Sequence, residues 1–175
     1  MRAKGAATSN SAVQQVLGHR PTLPYTRVQI NAEYAALLGA AVYVFAYYEW
    51  TIVSILNFLE PGFVNEYSRG KPLMSGKLRE RFQSSIDKLP IVHKGIDKTQ
   101  FQSCCKTFEA QINRRNALIH AHPASGHDEQ DQLIYQAAST KPITDMHWPT
   151  SELKAIVQQF DAAACDAAEV LDRLR

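Results

Sequence analysis

The sequence predicts a mainly α-helical bundle of four to five helices, with a small β-hairpin just before the last helix. Three observations carry this. Apolar residues recur at spacings of three and four over long stretches, and prolines and glycines punctuate those stretches. Only two short segments alternate in the manner of strands. At 175 residues the chain is long enough to bury one core as one domain.

Residues 1–30 are rich in Ala, Ser and Gly, with Pro21 and Pro24 near their end, and read as a flexible arm before a domain over 31–175. The first helix should run from Asn31, an N-cap residue, to Glu60, where Pro61 and Gly62 stop it. Its seam reads Leu38, Ala41, Phe45, Glu49, Ile52, Leu56 and Leu59, with Tyr43, Tyr47, Tyr48 and Trp50 on other faces. Glu49 splits the stretch from Tyr34 to Leu59 into uncharged pieces of 15 and 10 residues, each short of the ~20 a membrane span needs. A carboxylate in mid-span is also costly, so a helix buried on most sides is expected and no membrane partner.

Phe63 to Leu73 reads as a polar connector containing Gly70 and Pro72. A short basic helix follows from Ser75 to Lys88, closed by Pro90, and "IVHKGID" reads as a loop. The third helix begins at Asp97 or Lys98. Its seam is Phe101, Cys104 or Cys105, Phe108, Ile112, Arg115 and Ile119. Pro123 disfavours helical geometry at His122, so this helix should fray by Ala121. "DQLIYQA" and "ITDMHWP" flank a polar turn with Ser139, Thr140 and Lys141, which predicts a hairpin over about 131–148. The last helix spans Thr150 to Leu174 on a stripe of Leu153, Ile156, Phe160, Ala164, Ala167, Leu171 and Leu174.

The net charge of +2 says little, but its distribution says more. Val64 to Arg115 holds 11 Lys and Arg against 5 Asp and Glu, whereas Asn116 onward holds 4 against 9. A basic middle attracts phosphates, although solvated helix faces explain the same pattern. Three cysteines, two of them adjacent, make no disulfide framework, and the opening residues lack an apolar leader segment. A reducing, cytoplasmic setting is expected.

The segment "RRNALIHAHP", residues 114–123, breaks this ordinary pattern. Arg115 falls in the apolar seam of its helix, as Glu49 does in the first. A buried charge needs a partner, so the two are expected to face each other. A structural ion pair that fixes helix register is the plainer reading. His120 shifts the balance. Asn116 lies four residues before it on one helical face, placed to orient the imidazole, and Arg115 stands beside them. At a helix C-terminus the macrodipole favours a protonated ring. Histidine can take a proton from an RNA 2′-hydroxyl or give one to the leaving oxygen, while arginine stabilises charge on the phosphorus oxygens.

At these residues the chain resembles the HEPN superfamily (higher eukaryotes and prokaryotes nucleotide-binding domains). Its motif is an arginine, four to six residues, then a histidine, with a polar residue often directly after the arginine. Here "RNALIH", Arg115 to His120, matches with Asn116 in the polar slot. The resemblance covers six to ten residues, and the remainder is compatible in pattern. It implies a HEPN-like antiparallel bundle and a metal-independent endoribonuclease with no cofactor, of the kind found in toxin–antitoxin, phage-defence or CRISPR-linked systems. It further implies a homodimer whose two motifs form one cleft on an RNA substrate, with an antitoxin or regulatory protein as a further partner. Arg115, His120 and Asn116 are the catalytic candidates; Glu49, Arg114 and His122 are accessory ones, Arg114 toward the phosphate backbone and His122 as an alternative acid/base. One histidine per chain also needs a second proton-transfer group, which a twofold assembly supplies.

Three other readings compete. A non-catalytic HEPN-like module would bind nucleotide, RNA or protein with the same fold. His120, His122 and His127 have metal-ligand spacing, but only Asp128 accompanies them, so no metal is expected. A membrane-associated protein through the first helix is disfavoured by Glu49.

Overall fold

Asn31 caps the first helix, α1 (Ala32–Leu59), as the sequence predicts. Its side-chain oxygen accepts from Tyr34 N at 2.7 Å and satisfies one donor of the first turn. Pro61 and Gly62 end the helix, Gly62 at φ 95°, where a side chain would be strained. The computed structural model describes residues 30–69, 72–125, 131–137 and 145–175, which are mostly helical. The expected arm before Ile30 and the expected turn at Ser139, Thr140 and Lys141 lie outside the described residues, as do His127 and Asp128.

Part of the expected connector is helical: α2 (Phe63–Ser68) follows directly on the Gly62 turn. Asn57 Oδ1 accepts from Gly62 N and Val64 N at 3.2 Å each, and Phe63 is buried, so the turn is anchored to α1. The basic helix is α3 (Ser75–Asp87). The "IVHKGID" segment is not a plain loop. Val92–His93 (β1) and Ile96–Asp97 (β2) pair antiparallel across Lys94 and Gly95, both with positive φ, as a tight hairpin requires. Asp97 then caps α4 (Lys98–Ile119), its carboxylate accepting from Thr99 N at 2.8 Å.

The expected hairpin is present as β4 (Asp131–Tyr135) against β5 (Met146–Trp148). A third strand, β3 (His122–Ser125), adds to it in the order β3-β4-β5, with His122 opposite Ile134. Pro123 ends the helix and still enters a strand because β3 is at the sheet edge, where a missing N–H is tolerated. The last helix is α5 (Thr150–Leu174), and its expected stripe is buried throughout.

The core forms where α1, α4 and α5 meet, and α1 against α5 is the most extensive pairing. Phe45 packs edge-on to Phe160 at 5.1 Å, and Tyr48 edge-on to Phe108 at 5.3 Å. The seam of α1 is therefore Ala41, Phe45, Tyr48, Ile52 and Leu56, with Tyr48 fully buried. This corrects the expected stripe by one position: Tyr48 enters the core and Glu49 beside it is only half-buried. Val42, Tyr43, Tyr47 and Trp50 are exposed. By length and composition alone α1 is apolar enough to cross a membrane, and a third of its most apolar stretch is buried here.

Candidate functional site

Arg115 lies three residues after Ile112 and three before Leu118, both buried, so the charge does interrupt the α4 stripe. Leu118, not Ile119, continues that stripe; Ile119 is half exposed. The guanidinium leaves the core over the Phe45 ring, 5.0 Å from its centroid. Its Nη1 donates to Asn116 Oδ1 at 2.8 Å and its Nη2 to Ser75 Oγ at 2.9 Å. Neither partner is charged, and among the described residues no carboxylate pairs with Arg115. The guanidinium is thus held in place while its positive charge stays available to an incoming anion.

Ser75 brings a second element into the site. It is the first residue of α3, and the preceding Met74 offers no side-chain cap. The N–H groups of the first α3 turn therefore lack partners within the helix, at its positive end. Between this turn and the last turn of α4 lies a groove of about 400 Å³, lined by Ser75, Gly76, Lys77, Arg115, Asn116 and His120 among others. Lys77 is paired with Glu80 at 2.8 Å on the rim, and that hydrogen bond holds the Glu80 carboxyl below its ordinary range. The groove combines a guanidinium, open helix N–H groups and an exposed imidazole. That combination has the donors and charge that suit an oxyanion, with a group beside it of the kind that moves protons.

The structure brings Arg115, Asn116 and His120 together but changes the part Asn116 plays. Its amide oxygen holds the Arg115 guanidinium, and among the described residues no side-chain hydrogen bond fixes the His120 ring. His120 is the C-cap of α4, its N–H bonded to Asn116 O at 3.0 Å, and its side chain is exposed.

The expected Glu49–Arg115 pair does not form. Phe45, one turn earlier, is what meets the guanidinium. Burial, and then the Glu49 carboxylate, raise the Tyr67 phenol above its ordinary value, which places Glu49 toward α2. Arg114 does not line the groove. It pairs with Glu152 at 3.3 Å and lies 5.8 Å from the Trp148 ring centroid, tying α4 to β5 and α5. His122 is exposed on β3, beyond the groove lining.

Ser75, Lys77 and the uncapped turn of α3 are site features that sequence reasoning missed. The only signal was the basic, small-residue start "SGK", which carries no spacing rule linking it to Arg115. Among the described residues no three His, Cys, Asp or Glu side chains come together as a metal-binding group. Compared with protein-family models, curated proteins and solved structures, the chain matches none.

Proposed function

We propose that this protein is a metal-independent endoribonuclease of the HEPN type, cytoplasmic, acting as a homodimer on RNA. The observation that carries the reading is the Arg115 guanidinium, which is oriented by two neutral oxygens and shares one groove with His120. In the proposed reaction an RNA 2′-oxygen attacks the adjacent phosphorus and a 2′,3′-cyclic phosphate forms. The P–O5′ bond breaks, and the 5′-oxygen leaves with a proton. His120 of one copy removes the 2′ proton and His120 of the second copy protonates the leaving oxygen. Arg115 and the first-turn N–H groups of α3 bear the charge that builds on the non-bridging oxygens.

A second reading, a non-catalytic module binding RNA, nucleotide or protein through the same groove, is favoured by one observation. The Asn116 oxygen is bonded to Arg115, so it leaves the His120 ring unheld. Incubation with labelled single-stranded RNA in EDTA separates the two. The ribonuclease yields fragments ending in cyclic phosphate, which Arg115→Ala and His120→Ala abolish. The binding module retains RNA uncut, and Arg115→Ala alone releases it. Cleavage that stops in EDTA contradicts the proposal.

A further inference from the structure

Tyr43, Tyr47 and Trp50 are 75%, 54% and 47% exposed, an aromatic stripe on α1 that the groove does not use. They share one side of the helix with the exposed Ala36 and Gly39, and Val42, 50% exposed, stands at its margin. Phe45, which meets the Arg115 guanidinium, lies nearly opposite, so this face is separate from the groove. From Tyr34 to Tyr48 the helix carries no charge, and the residues flanking that stretch, Glu33 and Glu49, are acidic. The face therefore has no cation of its own to draw a phosphate backbone or an anionic membrane, and an apolar partner suits it.

The order of small and large residues along the stripe indicates what covers it. Gly39 and Ala36 lie four and seven residues before Tyr43, and Tyr47 and Trp50 lie four and seven after it. That spacing keeps the heptad rhythm of packed helices. Two copies of α1 laid antiparallel about a twofold axis at Tyr43 thus set Tyr47 against Gly39 and Trp50 against Ala36, in both directions at once. Parallel packing would set ring against ring and leave the small residues facing a gap. Gly39 supports the antiparallel fit. It stands exposed inside a helix, where glycine weakens the helix relative to alanine. No atom beyond its own turns lies within 4 Å of where a Cβ would stand, so nothing among the described residues accounts for the missing side chain. Trp50 is already braced, its ring 6.3 Å from that of Tyr67 on α2. The exposed parts of the four large side chains amount to roughly 500 Å² per copy. Two copies together supply about 1,000 Å², the lower edge of a specific interface, which suits a weak dimer.

We propose that this face of α1 is a self-association surface, on which a second copy of the chain packs antiparallel, the partner's Tyr47 over Gly39 and the partner's Trp50 over Ala36. The proposal is independent of the RNA reading and of the contact between His120 side chains that the RNA reading requires. Sedimentation velocity on the full chain should show monomer passing to dimer with a Kd on the order of 10 µM. Gly39→Leu fills the notch and should weaken the dimer at least about tenfold. The unfolding midpoint of the dilute Gly39→Leu protein should hold or rise, the opposite of a folding defect. Tyr47→Lys changes an exposed position and should leave a monomer. In a Cys165→Ser background, Tyr43→Cys at the axis should oxidise to a disulfide-linked dimer and Trp50→Cys should not. Equal cross-linking at both positions, or a dimer unchanged by Gly39→Leu and Tyr47→Lys, would overturn the proposal. So would a full chain that stays monomeric at about 200 µM. A monomer whose Trp50 fluorescence shifts on phosphatidylcholine vesicles would overturn it too, assigning the face to lipid.

Discussion

Arg115 and Ser75 are joined by a 2.9 Å hydrogen bond from Nη2 to Oγ, which ties the last turns of α4 to the first residue of α3. The bond brings a fixed cation to an open helix N-terminus. It also depends on the fork of the guanidinium, because Nη1 is engaged by Asn116 at the same time. A lysine keeps the charge but is a point donor and cannot hold both oxygens in this geometry. Arg115→Lys is expected to cost about 1 kcal/mol in stability by thermal unfolding. Single-turnover RNA cleavage should fall by about 100-fold or more. A lysine variant that cleaves at the parental rate would show that charge alone suffices and that the fork is structural.

His120 and His122 are distinguished by place as well as by motif. His120 lines the groove at the end of α4, whereas His122 is exposed on an edge strand. His120→Ala should therefore lower cleavage by about 100-fold or more, the usual range for losing a general acid or base. His122→Ala should leave it within about threefold. Both are surface changes, so unfolding midpoints should move little. The reverse ranking in a cleavage assay would transfer the acid/base role to His122.

Much of this arrangement was legible in the sequence, and the parts that were not share one cause. Asn31 as a cap, a third helix starting at Asp97 or Lys98, Pro61 and Pro90 as stops, and the stripe of α5 all rest on local rules, and each is present. Arg115 in an apolar seam was also a local observation. What the chain could not disclose is rotation and partnership across space. Glu49 and Tyr48 are adjacent, and which one enters the core depends on how α1 meets Phe108 and Phe160. Ser75 is forty residues from Arg115, and no periodicity links them. Strand β3 was hidden because Pro123 reads as a breaker, which an edge position permits.

Glu60 gives a stability prediction with a defined sign. It caps the C-terminus of α1, where a negative charge is unfavourable to the helix dipole. Burial alone would raise its carboxyl. Hydrogen bonds from Arg81, with Nε at 2.8 Å, and from Ser85 more than offset this and hold it below the ordinary value of 4.5. A depressed carboxyl contributes stability above its unfolded value and loses it as pH falls through the folded one. Glu60→Gln should thus cost roughly 1 kcal/mol at pH 7, modest because Arg81 is half exposed. The difference should shrink as pH falls below 4.5, and denaturant melts of both proteins across pH 3–7 measure it. A cost that stays constant over that range would assign the effect to packing.

Two buried tyrosines on α1 are expected to respond in opposite ways to loss of the hydroxyl. Tyr34 Oη donates to Trp148 O at 2.6 Å and accepts from Leu133 N at 2.9 Å, clamping the start of α1 to strands β4 and β5. Both backbone partners lose their bond in Tyr34→Phe. The cost should be about 2–3 kcal/mol, or roughly 5–10 °C in the thermal midpoint for a domain of this size. Tyr48 Oη has no partner among the described residues, so Tyr48→Phe removes an unsatisfied group and keeps the ring that packs on Phe108. It should leave the midpoint unchanged or raise it. The pair is a control on itself, since the same atom is removed from the same helix. Equal losses in both variants would mean that the Tyr34 clamp contributes no more than ring placement does.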